Sequence, residues 1–570
     1  MPLIRQEGAT ANVKKLLVSA LGAAGAIAIL TIFSRAAGFI RAWCQNGALG
    51  DTASGEAYAT ANTVPNVLFE IAAGGALAAA VIPLISGFLA QKNQRDAERT
   101  ASALLTWVVA VGVPVALIVT CGAKPLMSVL LGTDVSEEEL LFGATLLRIF
   151  AWQIPLYGLS VVCTGLLQAH KKFILPALAP LLSSLCVIAT FLLFTRYAGG
   201  HQDAPGQIST SAVYLLAWGT TAGVAIFSLP QLVPVCRLIT IRPRFTFPKD
   251  VGKRTVKMMS AGLLSLCAQQ IQIIAVMLFA NARGDTGTYP VYTFANQVYM
   301  VPYAVLAVPI ATAMFPRLSE VAAEKGRPNL ARLTARSSRL VFDIGIMCVA
   351  LLIAVAVPAQ AVFNVMRPAA HMDTAMIAMA PGLLGYAFIY HGSRVLYAVE
   401  STKAVIGVNC VAWLSSVLAM LILAPLASDS RAGILTILGC ALSIGMSLGA
   451  VAQLCAIRQV VGVGSLQGLV KSAVIIAPLS VIACVAGYFA GTSILHMWGT
   501  GLLVSFVASC VAGVLTLGIA GAAIVVVERK TLKKTRARGA GEASQKNSDT
   551  HRDDTLQKTS LTTKNSEDIR

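Results

Sequence analysis

Apolar stretches of about twenty residues or more recur along nearly the whole chain, separated by short polar segments. They fall at approximately 18–46, 57–89, 101–121, 139–168, 174–195, 211–235, 257–280, 288–316, 340–363, 374–399, 404–425, 432–457, 471–490 and 500–527. A helix needs roughly 20 apolar residues to cross the hydrocarbon of a bilayer. The pattern therefore predicts an all-α polytopic membrane protein with about 14 transmembrane helices. Several stretches exceed 25 residues, which implies tilt or helix ends standing in water. Residues 528–570 break the pattern with eleven Lys/Arg, few apolar residues and many Ser, Thr and Gly. Such a segment cannot bury a core and is expected to be disordered.

The polar segments alternate in charge. The odd loops, counted from the N-terminus (44–56, 122–140, 196–210, 281–290, 364–373, 426–431 and 491–499), hold five Lys/Arg: Lys124, Arg196, Arg283, Arg367 and Arg431. The N-terminal arm and the even loops, with Lys257 and Lys471 at the span edges, hold twenty-four, among them Lys92, Arg95, Arg99, Arg237, Arg242, Arg244 and Lys253. Basic loops are retained on the cytoplasmic side during insertion. The asymmetry thus predicts a multi-pass plasma-membrane protein with both termini in the cytoplasm. The composition agrees: 56% hydrophobic, 12% charged and a mean hydropathy of +0.73, where soluble domains are about a quarter charged. A net charge of +18 on a soluble chain would point to nucleic acid. Here the excess sits in cytoplasmic loops and tail, so membrane lipids are the expected partner and no nucleic acid is. Lys14 and Lys15 precede an apolar run that continues past Arg35, too long for a signal peptide, so this run is read as an uncleaved first span.

The chain also repeats itself. Residues 76–83, ending in Pro83, recur loosely as 309–316, ending in Pro316, an offset of 316 − 83 = 233. Residues 165–169 recur as 394–398, an offset of 396 − 167 = 229 between Leu167 and Leu396. Two six-helix lobes of one orientation plus two extra helices follow, a known transporter plan. The predicted division is an arm at 1–17, an N-lobe at 18–235, a basic linker at 236–256, a C-lobe at 257–457, two helices at 471–527 and a tail at 528–570.

Charged residues inside apolar helices are costly and usually functional or paired. The candidates are Arg35 and Arg41 in the first span, Glu70 in the second, Arg148 in the fourth and Arg394 near the end of the tenth. Arg35 and Arg41 are six residues apart, so on a straight helix they point some 120° apart. Both reach one cavity only if it is wide or if the helix bends, for instance at Gly38. Guanidinium groups offer forked donors suited to phosphate oxygens, so the pair suits a diphosphate. The alternative is an ion pair with Glu70 or Glu56. Glu70, ahead of Gly74 and Gly75, suits pairing to an arginine, coupling to a cation or proton, or a solvated cavity wall. Arg148 is read as a cavity residue or an interfacial anchor. The twelve cysteines are scattered, with no C-x-x-C and no His cluster, and read as small apolar filling. Residues 462–468 do not form a dinucleotide fingerprint, and Walker, H-E-x-x-H and G-x-S-x-G patterns are missing. Neither an enzyme nor a cofactor is expected.

Four segments together resemble the MurJ (MviN) lipid II flippases of the multidrug/oligosaccharidyl-lipid/polysaccharide exporter superfamily, with actinobacterial-like features. They are Ser34-Arg35-Ala36-Ala37-Gly38-Phe39-Ile40-Arg41, residues 61–66 with the downstream glycine pair and Pro83, residues 173–181 with Pro176 and Pro180, and 305–319 with Phe315-Pro316-Arg317. The resemblance covers about 15–530. It implies two lobes in a V around a cationic cavity that passes lipid II, a polyprenyl diphosphate-linked disaccharide-pentapeptide, to the outer leaflet for cell-wall synthesis. It implies cavity roles for Arg35 and Arg41, and it aligns the family's acidic residue ahead of the second helix with Glu56. Arginines that better-known members carry in the second and eighth helices are replaced here by Phe69-Glu70 and Asn296-Gln297. Two alternatives stay open: an exporter of another lipid-linked glycan or of drugs, and a scaffold that recruits cell-wall synthesis proteins through its tail, where Thr555 follows two aspartates.

Overall fold

The computed structural model describes residues 29–71, 78–133, 135–248, 251–324 and 327–529. The N-terminal arm, Gly74 and Gly75, and the tail with Thr555 lie outside the described residues. All regular structure among those described is helical. The first half holds α1 (29–48), α2 (Ala53–Phe69), α3 (Ala78–Ala90), α4 (Gln94–Cys121), α5 (Ala123–Leu131), α6 (Glu137–Phe150), α7 (Gln153–Ala169), α8 (Ile174–Tyr197) and α9 (Thr210–Leu238). The second holds α10 (Val251–Arg283), α11 (Thr288–Pro302), α12 (Val308–Ala323), α13 (Arg327–Asn364), α14 (Met372–Ala398), α15 (Thr402–Leu423) and α16 (Arg431–Val461), followed by α17 (Leu469–Trp498) and α18 (Leu502–Arg529).

Twelve helical stretches among the described residues are long and apolar enough to cross a membrane, with α6–α7 and α11–α12 each counting as one. The two other predicted spans correspond to α1 and to the broken pair α2 and α3. Odd loops are set by caps that satisfy the first free N–H groups of the next helix. Thr52, Ser136, Ser209 and Ser430 accept from Gly55, Glu139, Ala212 and Gly433 respectively. The segment 122–140 is not only loop, since it contains α5.

Two spans are distorted at matching places. The second loosens into π-helical geometry at Glu70–Ile71, and the eighth does so at Tyr303–Ala307, between Pro302 and Pro309. The offset 303 − 70 = 233 equals the repeat offset between Pro83 and Pro316. Wide turns of this kind free backbone groups inside a helix and concentrate at functional positions.

Packing follows the two halves. In the first lobe α9 holds α7 and α8, while α2 lies on α6 and α4 on α7; in the second, α14 and α15 pack on α16 and α13 on α14. The α14–α16 seam is tight because Gly382, Gly385 and Gly392 face Ser443, Met446 and Gln453. A Cβ on Gly385 would overlap the Met446 carbonyl oxygen. Small residues are what lets helix backbones approach in lipid. The last two helices attach to the second lobe: α17 packs on α13, where Gly491 meets Pro358, and Thr516 of α18 bonds to the Ala483 carbonyl.

Candidate functional site

The two lobes are joined at the ends that carry the odd loops. From α1, the Trp43 indole donates to the Val362 carbonyl at 2.9 Å. Asn46 Nδ2 donates to the Phe363 and Arg367 carbonyls, both at 2.9 Å. Arg367 reaches back to Gln202 Oε1 at 2.6 Å. Asn281 of α10 bonds to Thr60 and to the Leu130 carbonyl, both at 2.9 Å, and the Thr63 and Tyr289 hydroxyls lie 2.8 Å apart.

Two acidic residues complete this closure. Asp51 pairs with Arg431, whose Nη2 also donates to the Thr286 carbonyl at 2.5 Å. Buried Glu56 accepts from the backbone N–H of Gly287 at the start of α11. The carboxyl group satisfies a free N–H at the helix N-terminus, while burial pushes its pKa up to about 8. Gly287 is required there twice over: its φ is +89°, and a Cβ would overlap the backbone of Asp51. Glu56 is thus placed in the closure at the odd-loop ends, away from the arginines of α1.

Behind that closure α1 is helical through Gly38, which has no neighbour within 4 Å of a notional Cβ. The 120° between its two arginines sends them to different walls. Half-buried Arg41 lies within electrostatic reach of Tyr58 and Tyr157 of the first lobe. Arg35, exposed and about 9 Å away along the axis, reaches Tyr303 of the second. Neither guanidinium makes an ion pair among the described residues. Glu70, exposed at the π-turn, lies within electrostatic reach of Tyr157 and Tyr386. Tyr157 is held by a 3.1 Å bond to Asn66 Oδ1 and by the Phe69 ring at 4.5 Å.

The opposite wall carries a cluster that spacing alone did not mark. Arg394 donates to the Tyr390 hydroxyl at 2.5 Å, with its guanidinium 4.8 Å from the Tyr390 ring centre and 5.6 Å from that of Phe315. Tyr303 packs edge-on against Tyr386 and Tyr390, at 4.6 and 5.6 Å. Cation–π contacts of this kind hold an arginine in place while leaving some of its donors for a ligand. The π-turn at 303–307 is what brings Tyr303 into this group.

The structure therefore links four of the five charged candidates, Arg35, Arg41, Glu70 and Arg394, through shared tyrosines. It does not bring Arg148 to them. Arg148 is exposed on the same sector of its helix as exposed Leu141 and Trp152, the position of an interfacial anchor.

The model of the Lipid II flippase MurJ family matches residues 46–509. The match begins beyond both arginines of α1. The Lipid II flippase MurJ of Burkholderia cenocepacia is 26% identical over 407 residues, 68% of this chain and 75% of that protein. Among solved structures, Lipid II flippase MurJ in an inward closed conformation superposes with a TM-score of 0.65 at 18% identity, covering 86% of this chain and 98% of that one. A multidrug resistance MATE family transporter of the MOP superfamily, inward-facing, superposes at 0.60 with 16% identity, over 78% and 94% of the two chains. This polytopic membrane protein belongs to the lipid II flippase MurJ family.

Proposed function

We propose that this chain moves lipid II from the inner to the outer leaflet by alternating access, with both termini in the cytoplasm. The observation that carries the reading is that Arg35, Arg41 and Arg394, drawn from both lobes, form no ion pair among the described residues, while polar contacts join the lobes at the odd-loop ends. A diphosphate cannot cross hydrocarbon bare. Arg41 on the first-lobe side, with Arg35 and Arg394 on the side of Tyr303, offers it donors within the membrane, while the polyprenyl chain stays in lipid. Arg394 stands in for the arginines missing from the second and eighth helices. An inside-negative potential favours outward movement of the anion by roughly 2.3 kcal/mol per charge per 100 mV.

On this reading the contacts at the odd-loop ends act as an outer gate that is shut while lipid II loads from the inner leaflet. Release then requires that the Glu56–Gly287 and Asp51–Arg431 contacts part while the inner ends of the lobes approach. The direct test is reconstitution of the purified chain in vesicles with labelled lipid II. Transbilayer movement above protein-free vesicles is expected; equal movement of unrelated phospholipid, or none, would count against it. The MATE-like fold and the aromatic wall around Tyr303 favour drug export as the second reading, which predicts transport of cationic drugs and indifference to lipid II.

A further inference from the structure

On the face with the basic loops, the segment after α9 does not leave the protein. Residues 239–248 fold back along α4 as an extended strap. Gln94 Nε2 donates to the Leu238 carbonyl at 3.4 Å, and Ser102 Oγ lies 3.5 Å from the Thr240 carbonyl. The Arg242 N–H donates to Ser102 Oγ at 3.2 Å, and the Arg244 N–H to Thr106 Oγ1 at 3.0 Å. The Trp107 indole donates to the Phe245 carbonyl at 3.0 Å, and the two rings meet edge to face at 5.4 Å. The strap's backbone is thereby committed to α4, leaving its arginine side chains for other partners.

Between strap and helix lies a pocket of about 380 Å³ lined by Arg95, Arg99, Arg242 and Arg244, with Ser102 and Glu98 in its wall. Four arginines against one glutamate leave a formal charge of 4 − 1 = +3. Arg99 spends part of its charge on Asp96 at 3.6 Å, and Glu98 accepts from Gln94. Arg95, Arg242 and Arg244 form no ion pair among the described residues. Such a pocket suits a phosphate.

We propose that this pocket binds the phosphodiester of an anionic phospholipid of the inner leaflet. What favours a lipid over a soluble phosphate is the shelf beneath it. Trp107 begins about 7.5 Å further along the helix than Ser102 and is 44% exposed; Phe245 is 58% exposed. With its N–H used by the strap, the indole presents an apolar face at the depth where headgroups give way to acyl chains. Exposed Val111 and Ile118, within about 40° of Trp107 around the helix, continue that surface into the membrane. Basic pockets on the cytoplasmic side are known to take lipid headgroups. Here a headgroup would tie the segment that joins the two lobes to the inner leaflet.

The test is native mass spectrometry of the full chain, delipidated in detergent, with phosphatidylglycerol and phosphatidylcholine of identical acyl chains. At about 1 kcal/mol per arginine, phosphatidylglycerol is expected to bind at least about tenfold more tightly. Arg95→Gln/Arg242→Gln/Arg244→Gln should abolish that preference, and the corresponding Lys triple should keep most of it. Arg242→Gln alone, an exposed residue, should weaken it in the same direction if the triple variant does not fold. Millimolar inorganic phosphate should not displace the lipid. No headgroup preference, unchanged binding in the Gln variants, or full displacement by inorganic phosphate, which would mark a soluble-anion site, each overturns the proposal.

Discussion

Gly287→Ala isolates the outer closure from the rest of the molecule. In the closed state the new methyl meets the Asp51 backbone, and over-packing of this kind costs about 1–3 kcal/mol. Once the lobes part, Asp51 moves away and that cost disappears. The left-handed backbone at φ +89° adds roughly 1–2 kcal/mol, but it is common to both states if the turn persists. The differential term alone shifts the equilibrium toward outer opening by about 5–150-fold. Glu56→Ala reaches the same end by another route. It deprives the Gly287 N–H of its acceptor, and leaving a buried donor unsatisfied costs about 1–3 kcal/mol. The assay is spin-label distance measurement between Asp203→Cys and Val365→Cys, exposed positions in odd loops of opposite lobes. The background carries Ser at the exposed thiols Cys121, Cys236, Cys455 and Cys510. Both variants should lengthen the distance distribution relative to the parent. A distribution unchanged in both would refute the reasoning that these contacts hold the outer end shut.

Other consequences follow from the same geometry. Arg394→Gln removes the charge held by Tyr390 and Phe315 and should lower lipid II transport at least about tenfold, on the ~1.5–3 kcal/mol of a charged hydrogen bond, at equal insertion. Arg148→Gln should leave transport unchanged, because the side chain faces away from the cavity. Gly385→Val drives a side chain into the Met446 backbone and should lower the detergent melting temperature, whereas the same change at Gly407, with open space around it, should not. A double-mutant cycle on Asp51→Asn and Arg431→Gln, two residues whose side chains are each 16% exposed, should give a coupling of about 0.5–3 kcal/mol in thermal unfolding; zero coupling would mean the pair is incidental.

Much of the fold was legible because lipid imposes a simple grammar on sequence. Span length and the basic-loop asymmetry set the helices and their expected orientation. The offset between Pro83 and Pro316 located the repeat closely enough that the π-turns at Glu70 and Tyr303 share it. The six-residue spacing of Arg35 and Arg41 carried real geometry as well: Arg41 reaches Tyr157 of the first lobe and Arg35 reaches Tyr303 of the second. Contacts between distant residues were not legible. The Glu56–Gly287 bond spans 231 positions, and a lone glycine in a loop gives no hint of a carboxylate partner. The wall of Tyr303, Tyr386, Tyr390 and Arg394 draws on two spans, and tyrosines scattered in apolar helices look like lipid-facing residues until packing turns them inward. Arg148 was the avoidable ambiguity. Projecting Leu141, Arg148 and Trp152 around the helix already places them in one 60° sector, a coherent apolar-plus-anchor face.

The most direct test of the central claim, that arginines lining a cavity between the lobes carry the diphosphate across, is surface-accessible lipid II in cells whose own flippase is switched off. The account predicts that the wild-type chain restores outer-leaflet lipid II and that Arg35→Ala/Arg41→Ala, inserted to the same level, does not. Full restoration by the double variant would contradict it.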